Sequence, residues 1–169
     1  MAKIEMQGMS QYIKQLENVA WATSDVCRAV VHKGAGIVAN EIKRGIWDLR
    51  TVSDAEALAA YQKQQPTLIS ISQKRALIES FGVAPIQNKF GVVSTKLGFD
   101  GYNEIITERW PQGQPNQLIA RSCESGSSAM KKQPFMRPAE RRSKEEALRE
   151  MAREADQMIN EILGGNSNG

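Results

Sequence analysis

The sequence predicts an α+β fold, and three observations carry that prediction. Apolar residues recur at helical spacing towards both ends of the chain. The middle, residues 83–102, turns instead to β-branched and aromatic residues broken by glycines. Pro/Gly/Asn clusters at 110–116 and prolines at 134 and 138 mark where elements change. The chain has 169 residues, 41% hydrophobic and 24% charged, which fits one domain able to bury a core without disulfide or metal staples. Only 6% is aromatic, so that core leans on aliphatic and Met packing. A formal net charge of +3 is mildly basic, well short of a dedicated nucleic-acid coat protein.

Taken in order, Ile4 and Met6 alternate within residues 2–7, the pattern of a short edge strand that Gly8 breaks. Met9, Tyr12, Ile13, Leu16, Val19 and Ala20 then follow at spacings of three and four, an amphipathic helix over 9–20. Thr23-Ser24-Asp25 reads as an N-cap cluster for a second helix. Its stripe runs from Val26 to Ile42 and Gly45 is its stop. Gly34 and Gly36 lie inside this helix, where each costs about 1 kcal/mol relative to Ala. Close approach of another backbone would account for them. Ser53-Asp54 caps a third helix that Pro66 ends, an insertion near 51–66. Residues 71–82 fit helix and strand alike. Residues 90–99 read as at least one strand with a partner nearby, and Asp100-Gly101 as a turn. A short helix from Leu118 stops at Gly126. An extended connector, Pro134 to Pro138, leads into a long amphipathic C-terminal helix that starts between 138 and 144. Ser143-x-x-Glu146 is a candidate capping box at that start, and Gly164-Gly165 end the helix. The domain so predicted spans 1–165, with 166–169 a flexible tail.

Catalytic and metal-binding patterns are lacking. The single histidine, His32, has no second His for a zinc site, and Cys27 and Cys123 are far apart. Cys27 and His32 point different ways on a straight helix, so they make a poor nucleophile pair. No phosphate-cradling Gly motif occurs. No apolar run approaches the roughly 18–20 residues of a membrane span, and the N-terminal residues lack the apolar core of a signal peptide. The expectation is a soluble chain made in the cytoplasm, with no catalytic residues, no metal and no cofactor. Charge is uneven. Lys131, Lys132, Arg137, Arg141, Arg142 and Lys144 face Glu140 alone within 131–144, whereas 145–163 is acidic. Such a basic stretch meets DNA phosphates, an acidic partner or solvent alone, and these three readings stay open.

One stretch is distinctive. Glu124-Ser-Gly126-Ser-Ser, a short spacer and Gln133-Pro134-Phe135-Met136-Arg137-Pro138-Ala139 before the closing helix resemble the signature of the tail-component family of tailed bacteriophages. Lys33-Gly34-Ala35-Gly36-Ile37-Val38-Ala39, with Glu41-Ile42-Lys43-Arg44, fits the same pattern. Leu97-Gly-Phe-Asp-Gly-Tyr-Asn103 and Gln114 to Arg121 resemble the branch found in phages of Gram-positive hosts. The chain departs from the family between Arg44 and Ser70, where the helical insertion stands.

The resemblance implies a small antiparallel sheet flanked by helices. It implies a structural virion protein at the head–tail junction, completing or terminating the tail. It also implies a homo-oligomeric ring, a hexamer, that meets the tail tube protein and the head–tail connector proteins. DNA contact in the ring lumen would then carry no sequence specificity. Two alternatives stand beside it: a neck protein on the head-closure side, and a non-virion assembly factor that contacts DNA through residues 131–144. The motif residues Glu124, Gly126, Pro134, Phe135, Met136, Arg137 and Pro138 have two roles open to them. Phe135 and Met136 are either interface anchors or plugs of the chain's own core. Arg137 either forks onto a carboxylate, with Glu124 the nearest candidate, or sits in solvent.

Overall fold

In the computed structural model, residues 9–164 are described. The expected strand at 2–7 and the tail at 166–169 lie outside them. The fold is α+β, as the sequence predicts. Its elements in chain order are α1 (Met9–Trp47), β1 (Thr51–Val52), α2 (Asp54–Gln62), β2 (Ile69–Ser70), α3 (Ile71–Ser80), β3 (Phe81–Val83), β4 (Gln87–Lys89), β5 (Val92–Ser94), β6 (Leu97–Phe99), α4 (Asn116–Ser125) and α5 (Met136–Gly164).

Helix α1 replaces the two N-terminal helices expected from the sequence. It runs unbroken for 39 residues through Thr23-Ser24-Asp25. The Thr23 hydroxyl donates to the carbonyl of Val19 at 2.9 Å, four residues back, so it serves the helix interior and caps nothing. Gly45 does not stop the helix either. Its missing side chain makes room for Phe135, whose carbonyl oxygen would lie 3.1 Å from an added Cβ. The helix ends at Trp47, where the Lys74 ammonium donates to the carbonyls of Trp47 (2.6 Å) and Leu49 (2.8 Å). A cation at a helix C-terminus satisfies orphan carbonyls and suits the dipole.

Helices α1 and α5 pack antiparallel along their length. Phe135 meets Gly45, Arg142 meets Glu41, Met151 meets Gly34, and Gln15 reaches the carbonyl of Leu163. The glycine pair expected to admit a backbone is split. Gly34 admits the Met151 thioether, a side chain, while nothing lies within 4 Å of where a Cβ on Gly36 would stand. The core gathers at one end of this pair. Ala39, Ile42, Ile46 and Leu49 from α1 and its exit pack with Ile69, Leu77, Phe81, Ile119, Cys123, Phe135 and Ala139.

The insertion α2 forms where expected, under a full capping box between Ser53 and Glu56, and buries no residue. Residues 71–80 are helical, with a second capping box from Ser70 and Gln73. Asp54 ties the two helices together: its carboxylate accepts from the Ser72 amide at 3.1 Å and the Ser72 hydroxyl at 2.7 Å.

Among the described residues, the strands form three pairs. β1 and β2 run parallel, while β3–β6 and β4–β5 are antiparallel. The stretch 90–99, expected to hold at least one strand, holds two, β5 and β6. Thr95 and Lys96 separate them without belonging to either strand, the Thr95 hydroxyl donating to the carbonyl of Ala84 at 2.6 Å. β4 and β5 then close a hairpin over Phe90-Gly91, with φ of +54° and +80°. The Asp100-Gly101 turn is present, with Gly101 at φ +64°, and it leads into a long loop. That loop is tied by bridges between Tyr102 and Pro115 and between Thr107 and Trp110. Among the described residues, no helix is long and apolar enough to cross a membrane.

Candidate functional site

The site is built from the end of α4 upward. Gly126 terminates that helix at φ +79°, and its amide donates to the carbonyl of Ser122 at 2.8 Å. A Cβ there would stand 3.2 Å from Lys132, because the chain doubles straight back. The turn is held by Ser127, whose amide donates to Met130 at 2.9 Å. The returning segment is pinned at Gln133. The Gln133 amide donates to Cys123 at 2.7 Å, and the Gln133 side chain exchanges hydrogen bonds with the Arg50 backbone at 3.1 and 3.0 Å. This places the start of α5 beside the last turn of α4.

Glu124 occupies that junction. One carboxylate oxygen accepts from the amides of Phe135 (2.8 Å) and Met136 (2.9 Å), and the other from Arg137 (3.1 Å). A helix leaves its first four N–H groups without intrahelical partners. Here three go to Glu124, and the fourth position is Pro138, which has no N–H. The accounting at the head of α5 therefore closes completely. The partial positive charge of the helix N-terminus also faces the carboxylate.

This geometry corrects two sequence expectations and bears on the two open readings of Arg137. Helix α5 starts at Met136, ahead of the expected 138–144 window, because Pro138 is tolerated in a first turn and Glu124 satisfies the amides before it. Ser143 caps nothing; it is buried inside the helix and its hydroxyl donates to Ala139 at 2.8 Å. The Arg137 guanidinium does not fork onto Glu124. It is 76% exposed, and its Nε makes a single long ion-pair contact at 4.0 Å with a carboxylate that already accepts from three backbone amides.

Phe135 is 3% exposed and sits in the chain's own core, edge-on to Phe99 at 6.0 Å. Met136 packs on the same cluster. The core-plug reading is the one the structure shows for both, and an anchor role for a buried Phe135 is closed. Pro134 is exposed, and Pro138 is half-buried.

The basic residues are divided. Arg142 turns to α1 and binds Glu41 at 2.6 Å, which holds the Glu41 carboxyl below its ordinary value. Arg137, Arg141 and Lys144 share one exposed face with Glu140, around a shallow recess of about 280 Å³. Lys131 and Lys132 are exposed on the connector.

Cys123 is fully buried, and burial together with the neighbouring Glu124 charge pushes its thiol up to about 12. It donates to the Met130 sulfur at 3.3 Å and stays protonated at neutral pH, so it is no nucleophile there. Cys27 is half-buried and His32 exposed, both on α1. Among the described residues, no group of three or more His, Cys, Asp or Glu is placed to hold a metal ion.

Two features escaped the sequence reading. One is an open groove of about 1260 Å³ between α2, α3, α4 and the 100–110 loop. No short-range pattern marks it, since its walls come from five separate stretches. The other is the β4–β5 hairpin, whose signal is a glycine at the second position of a two-residue loop between β-formers. Comparison with protein-family models, with curated proteins and with solved structures found no match.

Proposed function

We propose that this chain is a structural component of a tailed-phage particle at the head–tail junction, in tail completion rather than in the neck. It would work as a ring of identical subunits against the tail tube and the connector proteins, with no catalytic role. One observation carries the reading: the resemblance of the Glu124-Ser-Gly126 and Pro134-Phe135-Met136-Arg137-Pro138-Ala139 blocks to the tail-component signature. The hydrogen bonds from the 135–137 amides to Glu124 lend it physical support. They give two separated blocks one shared task, so the blocks belong together as a unit. Mass spectrometry of purified particles is the test. The chain should be present at the copy number of a ring; its absence from intact virions and tails would overturn the reading.

The exposed face of Arg137, Arg141 and Lys144 favours a second reading, an assembly factor that binds DNA backbone without entering the particle. That reading requires DNA affinity that falls steeply with salt, together with absence from virions.

A further inference from the structure

The β4–β5 hairpin carries an unusual tip. Phe90 is fully exposed and stands at φ +54°, a region that L-residues with large side chains rarely occupy. Two-residue hairpin loops with both φ values positive favour Asn-Gly, which tolerates that backbone. A phenylalanine there is strained and presents a whole aromatic ring to solvent, and strain of this kind collects at sites that bind. Val92, beside it, is also exposed. The hairpin lies against α1; Lys89 is its one charged residue, and Lys96 follows two residues after it.

The open groove has the complementary character. Leu58, Tyr61 and Tyr102 are exposed apolar residues on its walls. Four carboxylates line it, those of Asp54, Glu79, Asp100 and Glu104, against the two cations Arg75 and Arg109. Two buried amide groups in its lining lack hydrogen-bond partners: Asn103 Nδ2, a donor, and Asn116 Oδ1, an acceptor. These residues are 8% and 4% exposed. Phe90 and Gly91 form the hairpin tip, outside the β4–β5 register. No hairpin residue lines the chain's own groove.

We propose that the β4–β5 hairpin of one copy docks in the groove of the next, with Phe90 as the anchor. The groove exceeds the usual 300–1,000 Å³ of a small-molecule pocket and suits a chain segment. The contact joins two different surfaces of the same chain, so it is head-to-tail and propagates into a ring or a filament. It rests on the ring reading above for closure and names the surfaces that would make it.

Sedimentation of the full chain over a range of concentrations tests the contact. The unaltered chain should form multimers. Phe90→Asn relieves the turn and removes the ring, so it should match or exceed the parent's denaturation midpoint while weakening association at least tenfold. Leu58→Lys puts a cation where the basic hairpin lands and should give the same loss. Mixing the two variants leaves one intact hairpin and one intact groove, so a dimer and nothing larger should form. A parent that stays monomeric throughout overturns the contact, as does Phe90→Asn that associates like the parent. If the chain is found in particles while Phe90→Asn still associates, the contact fails and the head–tail reading stands. If hairpin-dependent multimers form but particles lack the chain, the reading fails and the contact stands.

Discussion

Glu124 decides how the longest-range part of the motif works. Its carboxylate takes three amides that α5 leaves free, so Glu124→Ala should strip all three at once. Loss of a helix cap costs about 0.5–2 kcal/mol, and the half-buried amides here add desolvation, so about 2 kcal/mol or more is expected. Glu124→Gln keeps one acceptor oxygen and should lose about half as much. Urea midpoints measure both, and Glu124→Ala within 0.5 kcal/mol of the parent would exclude the capping role. Arg137→Ala makes the contrast. Its guanidinium is exposed and 4.0 Å from Glu124, so its removal should cost only about 0–1 kcal/mol. On the proposed function it is therefore a clean probe of head–tail joining: if that reading holds, particles carrying it should assemble heads and tails that fail to join, as a phage complementation assay would show. Phe135→Ala cannot serve that purpose. It empties a buried site against Phe99 and Gly45, and large-to-small changes of this kind cost about 3–5 kcal/mol.

Among the elements, the sequence was legible wherever a cap or a stop acts locally. Ser53 and Asp54 announce α2, and Gly126 ends α4 where its neighbours say it should. It misled wherever a residue answers to something distant. Gly45 looks like a helix stop and is a slot for Phe135; Thr23 looks like a cap and bonds backward within α1. The Pro134–Pro138 segment looks like an extended strut, yet its second half is already α5, because the deciding partner, Glu124, lies more than ten residues upstream. The groove has no local signature at all. The two internal glycines of α1 give a test at this scale. Gly36 has open space around it, so Gly36→Ala should stabilise by about 1 kcal/mol through helix propensity alone. Gly34→Ala gains the same propensity but drives a methyl into the Met151 thioether, so it should show no net gain. In a Met151→Ala background the Gly34→Ala gain should appear. Equal melting-temperature rises for Gly34→Ala and Gly36→Ala in the parent chain would rule out the close α1–α5 packing.

For the whole molecule, pH reads the contacts that hold separate elements together. Glu41 links α1 to α5 through Arg142, Asp54 links α2 to α3, and Glu56 closes the α2 cap. All three carboxyls are held below their ordinary values: Glu41 by the Arg142 hydrogen bond first, Asp54 by the Ser70 and Ser72 hydroxyls, and Glu56 by the Ser53 backbone amide. A lowered folded value means the unfolded chain takes up protons first. The stability they contribute is complete above their unfolded values of 4.5 and 3.8, and is lost as pH falls further. Cys123 sets the alkaline side with the opposite sign. Its thiol ionises at 9.0 when free and at about 12 when folded, so the unfolded chain loses its proton first. Stability from the buried neutral thiol is complete below pH 9.0 and is lost between 9.0 and about 12, by up to about 1.4 kcal/mol per pH unit. The expected profile is a plateau from about pH 4.5 to 9 with a fall on each side. Each flank has its own variant. Asp54→Asn should make the acid fall shallower and leave the alkaline one untouched. Cys123→Ala should lower the plateau, because it empties a core site, yet flatten the alkaline fall between pH 9 and 10.5. Urea midpoints across pH 3–10.5 measure both flanks. An alkaline slope unchanged in Cys123→Ala would show that the thiol ionises as readily in the folded chain as in the unfolded one, and the end of α4 would then be open to water.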